Sequence, residues 1–139
     1  MEKKITTSDL RLGNWLYYTK ETMFPMQVYA LGNDWVQLDF EGNEGDCLEN
    51  NSDEIYPIPI TFKLLNGICY SNKDSYKTFS CRLGEVEFHT EIKNGFLELY
   101  PSVNEYEYII GEPIKYVHEL QNLYHALTGK ELKIRREWL

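Results

Sequence analysis

Three histidines, three cysteines and 22 carboxylates are the groups in this chain with chemistry to offer. His118 and His125 share a stretch with Asn122 that reads as one side of a helix. Residues seven apart are separated by about 10.5 Å along a helix axis, too far for both imidazoles to hold one metal. Metal-binding helices use i, i+4 spacing instead. His118, Asn122 and His125 therefore read as a polar helix face that packs on a sheet with its atoms satisfied. Cys47, Cys69 and Cys81 are odd in number and contain no Cys-x-x-Cys pair. That argues against a disulfide framework and against a zinc site. Cys69 and Cys81 sit among apolar residues, where a free thiol behaves as a small hydrophobe.

The carboxylates are more pointed. Asp39, Glu41, Glu44, Asp46, Glu49, Asp53 and Glu54 follow one another with no Lys or Arg between them. Such a density of hard oxygen ligands suits Ca2+. Counting from Asp39 as the first position of an EF-hand loop, however, puts Glu44 where Gly is required and Asn50 where the bidentate Glu is required. Two readings remain. One is a surface that mimics nucleic-acid phosphates or fills a basic groove on a partner. The other is a solvated loop kept soluble by its charge.

A second acidic set is Glu85, Glu87, Glu91 and Glu98. A general acid–base pair needs one carboxyl with a raised pKa, through burial or a close like charge. Strand alternation puts most of these four on a wet face, where neither condition holds. The chain has no Gly-x-Ser-x-Gly, no Gly-x-Gly-x-x-Gly and no Walker loop. No catalytic residue, metal or cofactor is assigned. Tyrosine is abundant, 11 against 6 Phe. Its ring suits places where one end is buried and the other wet. Trp15, Tyr17, Trp35 and Tyr56 are candidates for a shallow aromatic groove that takes a peptide or a small ligand.

The elements that must position these residues are mostly strands. Asn14–Tyr18, Met26–Leu31 and Trp35–Phe40 are rich in aromatic and β-branched residues, with Gly32-Asn33 as a short hairpin turn. Glu54–Ile60 carries Pro57 and Pro59 and reads as an edge strand. Glu41–Asp53 reads as a loop. Thr61–Gly67 is a short helical turn capped by Thr61 and ended by Gly67. Tyr76–Arg82, Val86–Ile92 and Phe96–Tyr100 alternate as strands, the last two joined at Asn94-Gly95 in a type I′ turn. Val86, Phe88, Thr90 and Ile92 share one face, and Glu105–Ile110 can add a further strand. The helix begins near Ile114, with Val117, Leu120, Leu123, Tyr124 and Leu127 as its apolar stripe and Gly129 as its stop. Leu132–Arg135 reads as a last short strand.

Charge bounds the partners. The chain carries −8, and residues 1–60 alone hold 11 acidic against 4 basic side chains. An acidic body argues against generic binding of nucleic-acid phosphates, and the basic residues Lys130, Lys133, Arg135 and Arg136 do not reverse that. No apolar run nears the roughly 20 residues of a membrane span, and no apolar stretch follows Lys3-Lys4 as in a signal peptide. The expectation is a cytoplasmic protein without membrane association.

The stretch Ile114-Lys115-Tyr116-Val117-His118-Glu119-Leu120-Gln121-Asn122-Leu123-Tyr124-His125-Ala126-Leu127-Thr128-Gly129-Lys130-Glu131-Leu132 resembles the C-terminus of small uncharacterised proteins of Bacteroidetes genomes, their phages and mobile elements. Leu10-Arg11-Leu12-Gly13-Asn14-Trp15 and Ile55-Tyr56-Pro57-Ile58-Pro59-Ile60-Thr61 fit the same pattern. That family has no established substrate, cofactor or catalytic residue, so the resemblance implies context only: a phage-borne or bacterial accessory protein.

The expected fold is α+β. Residues 1–60 form an SH3-like small β-barrel, and residues 61–139 an antiparallel sheet packed by the C-terminal helix, the two being separate or continuous. The expected function is non-enzymatic binding of a host or phage protein through an acidic, Tyr-rich surface, as in inhibition of a host defence component. The alternatives are a small-ligand binder with an aromatic pocket, a virion structural protein and a small hydrolase. Homo-oligomerisation stays open.

Overall fold

The computed structural model describes residues 5–17, 24–39, 48–51, 55–68, 70–72, 79–83, 86–102 and 113–139. The chain is a mixed α/β protein that divides into two compact units, Met1–Ile58 and Pro59–Leu139.

In the first unit, the strands β1 (Trp15–Tyr17), β2 (Pro25–Leu31) and β3 (Trp35–Asp39) each send residues to one buried side. Leu16, Met26, Val28, Val36 and Leu38 meet on one side and form a core with Ile5, Leu10 and Ile55. With β4 (Leu48–Asn51) and β5 (Tyr56–Pro57) they make a five-stranded antiparallel sheet of order β4-β3-β2-β1-β5. Pro57 has no N–H to give, and β5 lies at an edge as that requires.

The Leu-Gly-Asn-Trp turn is held from within. Asn14 is buried; its Oδ1 accepts the Arg11 N–H at 2.7 Å, and its backbone O accepts the Val28 N–H at 2.8 Å. Gly13, at φ +89°, donates its own N–H to Val28 O. The imperfect alternation of β2 has a cause: Val28 pairs with Leu38 and Ala30 with Gln37, so Tyr29 and Ala30 together oppose one residue in a β-bulge.

Two expectations for this unit are corrected. The β2–β3 turn centres on Asn33-Asp34, closed by Gly32 N–H to Trp35 O at 3.0 Å, not on Gly32-Asn33. Neither Asn33 nor Asp34 has a positive φ, so the turn is not of a primed type. Gly32 serves close packing instead, because a Cβ there would collide with the Trp35 indole. The segment 41–53 is also not all loop, since Leu48–Asn51 pairs with β3.

The second unit is built on an antiparallel sheet of order β6-β7-β8-β9: Tyr70–Asn72, Phe79–Leu83, Val86–Lys93 and Phe96–Ser102. Asn94 (φ 52°) and Gly95 (φ 80°) make the β8–β9 turn, as the Asn-Gly pair demands. Phe88, Thr90, Leu97 and Leu99 are buried, whereas Ile92, near the turn, is exposed. The expected strand over 105–110 lies outside the described residues.

Beyond β9 the chain returns as an extended crossbar. Ile114 and Leu99 exchange two hydrogen bonds of 2.8 Å, Tyr116 bridges Pro59, and Ile60 N–H donates to Lys115 O at 2.9 Å. That pairing explains why α2 spans Val117–Thr128 and does not begin near Ile114. Glu119 Oε1 reaches back to the Tyr116 N–H at 3.2 Å, and Gly129 (φ 73°) ends the helix with its N–H on His125 O. The buried face is Val117, His118, Leu120 and Gln121; Leu123 and Tyr124 are half-buried and Leu127 is exposed. The expected stripe is thus covered only over its first turns.

The shorter helix α1, Phe62–Ile68, is capped by Thr61, whose Oγ1 accepts the Leu64 N–H at 3.2 Å. Gly67 lies inside α1 and does not end it. A Cβ on Gly67 would sit 2.5 Å from Trp138 Cδ2, so the glycine admits the indole. Trp138 comes from a 3-10 turn, Arg136–Trp138, with the Arg135 guanidinium 5.6 Å from the ring centroid. Leu132–Arg135 forms no strand, although half-buried Leu132 and Ile134 alternate with exposed Lys133 and Arg135 as its pattern implies.

Helix propensity alone makes Gly67→Ala stabilising by up to ~1 kcal/mol. The Trp138 contact reverses the sign: the substitution is expected to cost about 1–3 kcal/mol and lower Tm by several degrees. Urea and thermal unfolding of G67A decide between the two.

Candidate binding surface

The register of the first sheet determines which aromatic residues can act together. Tyr17 and Tyr56 are direct cross-strand partners, and Trp15 lies two residues along β1 on the same side of the strand. Trp15 is buried, while Tyr17 and Tyr56 are half-buried. Trp35 stands elsewhere. It is opposite Asn51 and against Gly32, four residues along β3 from Asp39, which shares a row with Gln27 and Trp15. Four residues of strand span about 13 Å. The structure therefore joins Tyr17 with Tyr56 and separates both from Trp35.

Trp35 has a different aromatic companion. Tyr29 is 61% exposed, and its bulge sets it beside Ala30, across from Gln37, two residues along β3 from Trp35. Trp35 is itself 37% exposed, and Asp34 in the adjoining turn is exposed as well. Tyr29 stood out in the sequence only as one tyrosine among 11. Plain alternation along β2 is the signal that could have found it, because Gln27 and Tyr29 are exposed and interleave with buried Met26 and Val28.

Of the acidic segment, Asp39 ends β3 opposite Gln27, and Glu49 lies in β4 opposite Gln37. Gln37 and Trp35 alternate with the core residues Val36 and Leu38, so these register positions belong to the side of the sheet away from the core. Glu41, Glu44, Asp46, Asp53 and Glu54 lie outside the described residues.

The helix residues divide by position along the axis. His118 is 1% exposed and stacks on Tyr116, with ring centroids 6.2 Å apart and planes at 19°. Asn122 is half-buried. His125, two turns on, is half-exposed, with Nε2 3.8 Å from Glu131 Oε1. The two histidines share a face, yet α2 is covered only near its start. Among the described residues no group of three His, Cys, Asp or Glu is placed to hold a metal ion.

One buried charge escaped the alternation argument. Glu98 is 7% exposed, and its carboxylate lies 3.4 Å from Lys115 Nζ. The Ile114–Leu99 pairing causes this, because it lays Lys115 alongside the neighbour of Leu99. Across β8 and β9, Glu91 is the register partner of Glu98. No helix among the described residues is long and apolar enough to cross a membrane. Comparison of the chain with family models, with curated proteins and with solved structures finds no match.

This geometry sets two expected outcomes. Lys115→Met removes the cation beside a buried carboxylate and is expected to cost about 1–2 kcal/mol, discounted because the lysine is half-exposed. Glu98→Gln should recover part of that loss, and a double-mutant cycle in urea reads the coupling. Burial raises the Tyr17 phenol above its ordinary pKa of 10.0. The unfolded phenol then ionises first, so stability present below about pH 10 is lost as pH rises through the folded value. Tyr17→Phe should flatten the fall in urea midpoint between about pH 9 and 11.

Proposed function

We propose that this chain is a non-enzymatic accessory protein that binds a macromolecular partner through the acidic, aromatic side of its first unit. The observation that carries the reading is the side of β2–β4 away from the core. There, exposed Tyr29, Trp35 and Asp34 join the register positions of Asp39 and Glu49. This side belongs to the part of the sequence with the largest excess of acid, 11 carboxylates against 4 cations over residues 1–60. Charge of one sign steers a partner of the other and disfavours wrong ones.

On this reading the partner is a host or phage protein with a basic groove, and the setting is the cytoplasm of a bacterium carrying a phage or mobile element. Occupying such a groove would inhibit a host defence component that normally grips nucleic acid. The wording of residues 114–132 supports the setting. The order β4-β3-β2-β1-β5, a meander whose last strand returns to its first, supports an SH3-like barrel for the first unit. Such small barrels commonly present binding surfaces.

The test reverses charge at Glu41, Glu44, Asp46 and Glu49 together, each to Lys. Tagged wild type and variant are recovered from a bacterial host lysate and weighed by native mass spectrometry. The expected result is a stoichiometric protein partner with the wild type, weakened about tenfold or more in the variant and in high salt. Equal recovery by the two proteins would defeat the reading.

A further inference from the structure

The aromatic end of the first unit has a chemistry narrower than acidity. Trp35 approaches Gly32 so closely that a Cβ there would collide with its indole, while 37% of the residue stays exposed. Tyr29, 61% exposed, points away from the core by the alternation of β2 across the same hairpin, and Asp34 is exposed in the turn between the strands. Thr7 Oγ1 donates to Asn33 O at 2.7 Å and ties that turn to the N-terminal 3-10 turn, Thr7–Asp9. Two presented rings beside a carboxylate, on a tethered turn, form a platform whose ring faces and charge both favour a cation.

We infer that this platform docks an arginine-bearing segment of the partner, with a guanidinium stacked on Trp35 or Tyr29 and hydrogen-bonded to Asp34. The inference rests on the reading of the first unit as a binding module and narrows it. Arginine is favoured over lysine because its planar, weakly hydrated guanidinium stacks on a ring and grips a carboxylate through two N–H groups at once. A nucleic acid is disfavoured by the surrounding acid. A purely apolar segment would leave Asp34 poorly matched. Gly32 is a positioning residue here. It touches no ligand, but its missing Cβ lets Trp35 lie where it does.

The experiment uses the full chain and two fluorescein-labelled peptides of equal length and charge, one of alternating Arg and Ser, the other of alternating Lys and Ser. Binding is read by fluorescence anisotropy at low salt. The Arg peptide is expected to bind several-fold to about tenfold tighter than the Lys peptide. Trp35→Ala and Tyr29→Ala should each erase most of that preference. Gly32→Ala, whose backbone is not in the positive-φ region, should weaken it by displacing the ring, and Trp35→Phe should retain most of it. Thermal unfolding of each variant verifies that it is folded. Equal affinity for the two peptides overturns the inference, as does a folded Trp35→Ala that keeps the preference. Concentration-dependent self-association abolished by Trp35→Ala also overturns it, by making a second copy the occupant. If the four-site charge reversal loses the lysate partner while Trp35→Ala leaves the peptide preference intact, only the arginine inference fails.

Discussion

The second unit depends on a short length of extended backbone, Ile114 to Tyr116. Its N–H and C=O groups are committed to β9 on one side, through Leu99, and to Pro59-Ile60 on the other. Buried backbone groups must be paired, and this pairing has consequences across the unit. It starts α2 at Val117, since the preceding residues are held extended. It brings in the segment that leads to α1. It also sets Lys115 beside Glu98, turning a glutamate of an alternating hairpin into a buried, ion-paired one. The Glu119 carboxylate then caps both the crossbar and the helix, accepting from the Lys115 and Tyr116 N–H groups.

The first unit is organised around a different device of the same kind. Buried Asn14 accepts a turn N–H through its side chain, and its backbone O accepts the Val28 N–H. The Leu-Gly-Asn-Trp turn is thereby locked to β2 one residue before the bulge. Alternation with the core residues Met26 and Val28 directs Tyr29 outward, and the bulge that follows turns Leu31 back onto the core.

The features that could support chemistry fall into different categories once burial is known. His118 is a stacked interior residue and His125 lies near the solvent-facing end of the helix. Glu98 is a structural ion pair. Exposed Tyr29 and Trp35 lie on the side of β2 and β3 away from the core, next to the turn that carries exposed Asp34.

Periodicity and turn chemistry by themselves determined the local elements: the Asn94-Gly95 hairpin, the α2 stop at Gly129, the Thr61 cap and the alternating cores of β1 to β3. Each depends on residues close in sequence, where φ preference and side-chain spacing act directly. Charge asymmetry was equally legible, because it is additive. What only the tertiary structure decided involves residues far apart in the chain. Gly67 read as a helix stop until Trp138 lay against it, and Glu98 read as solvent-facing until the crossbar delivered Lys115. The four aromatic residues grouped as one rim were sorted by strand register, which sequence spacing does not encode when a bulge intervenes. The α2 stripe likewise names the face that prefers burial, but only the tertiary structure decides that Val117 and Leu120 are covered while Leu127 stays exposed.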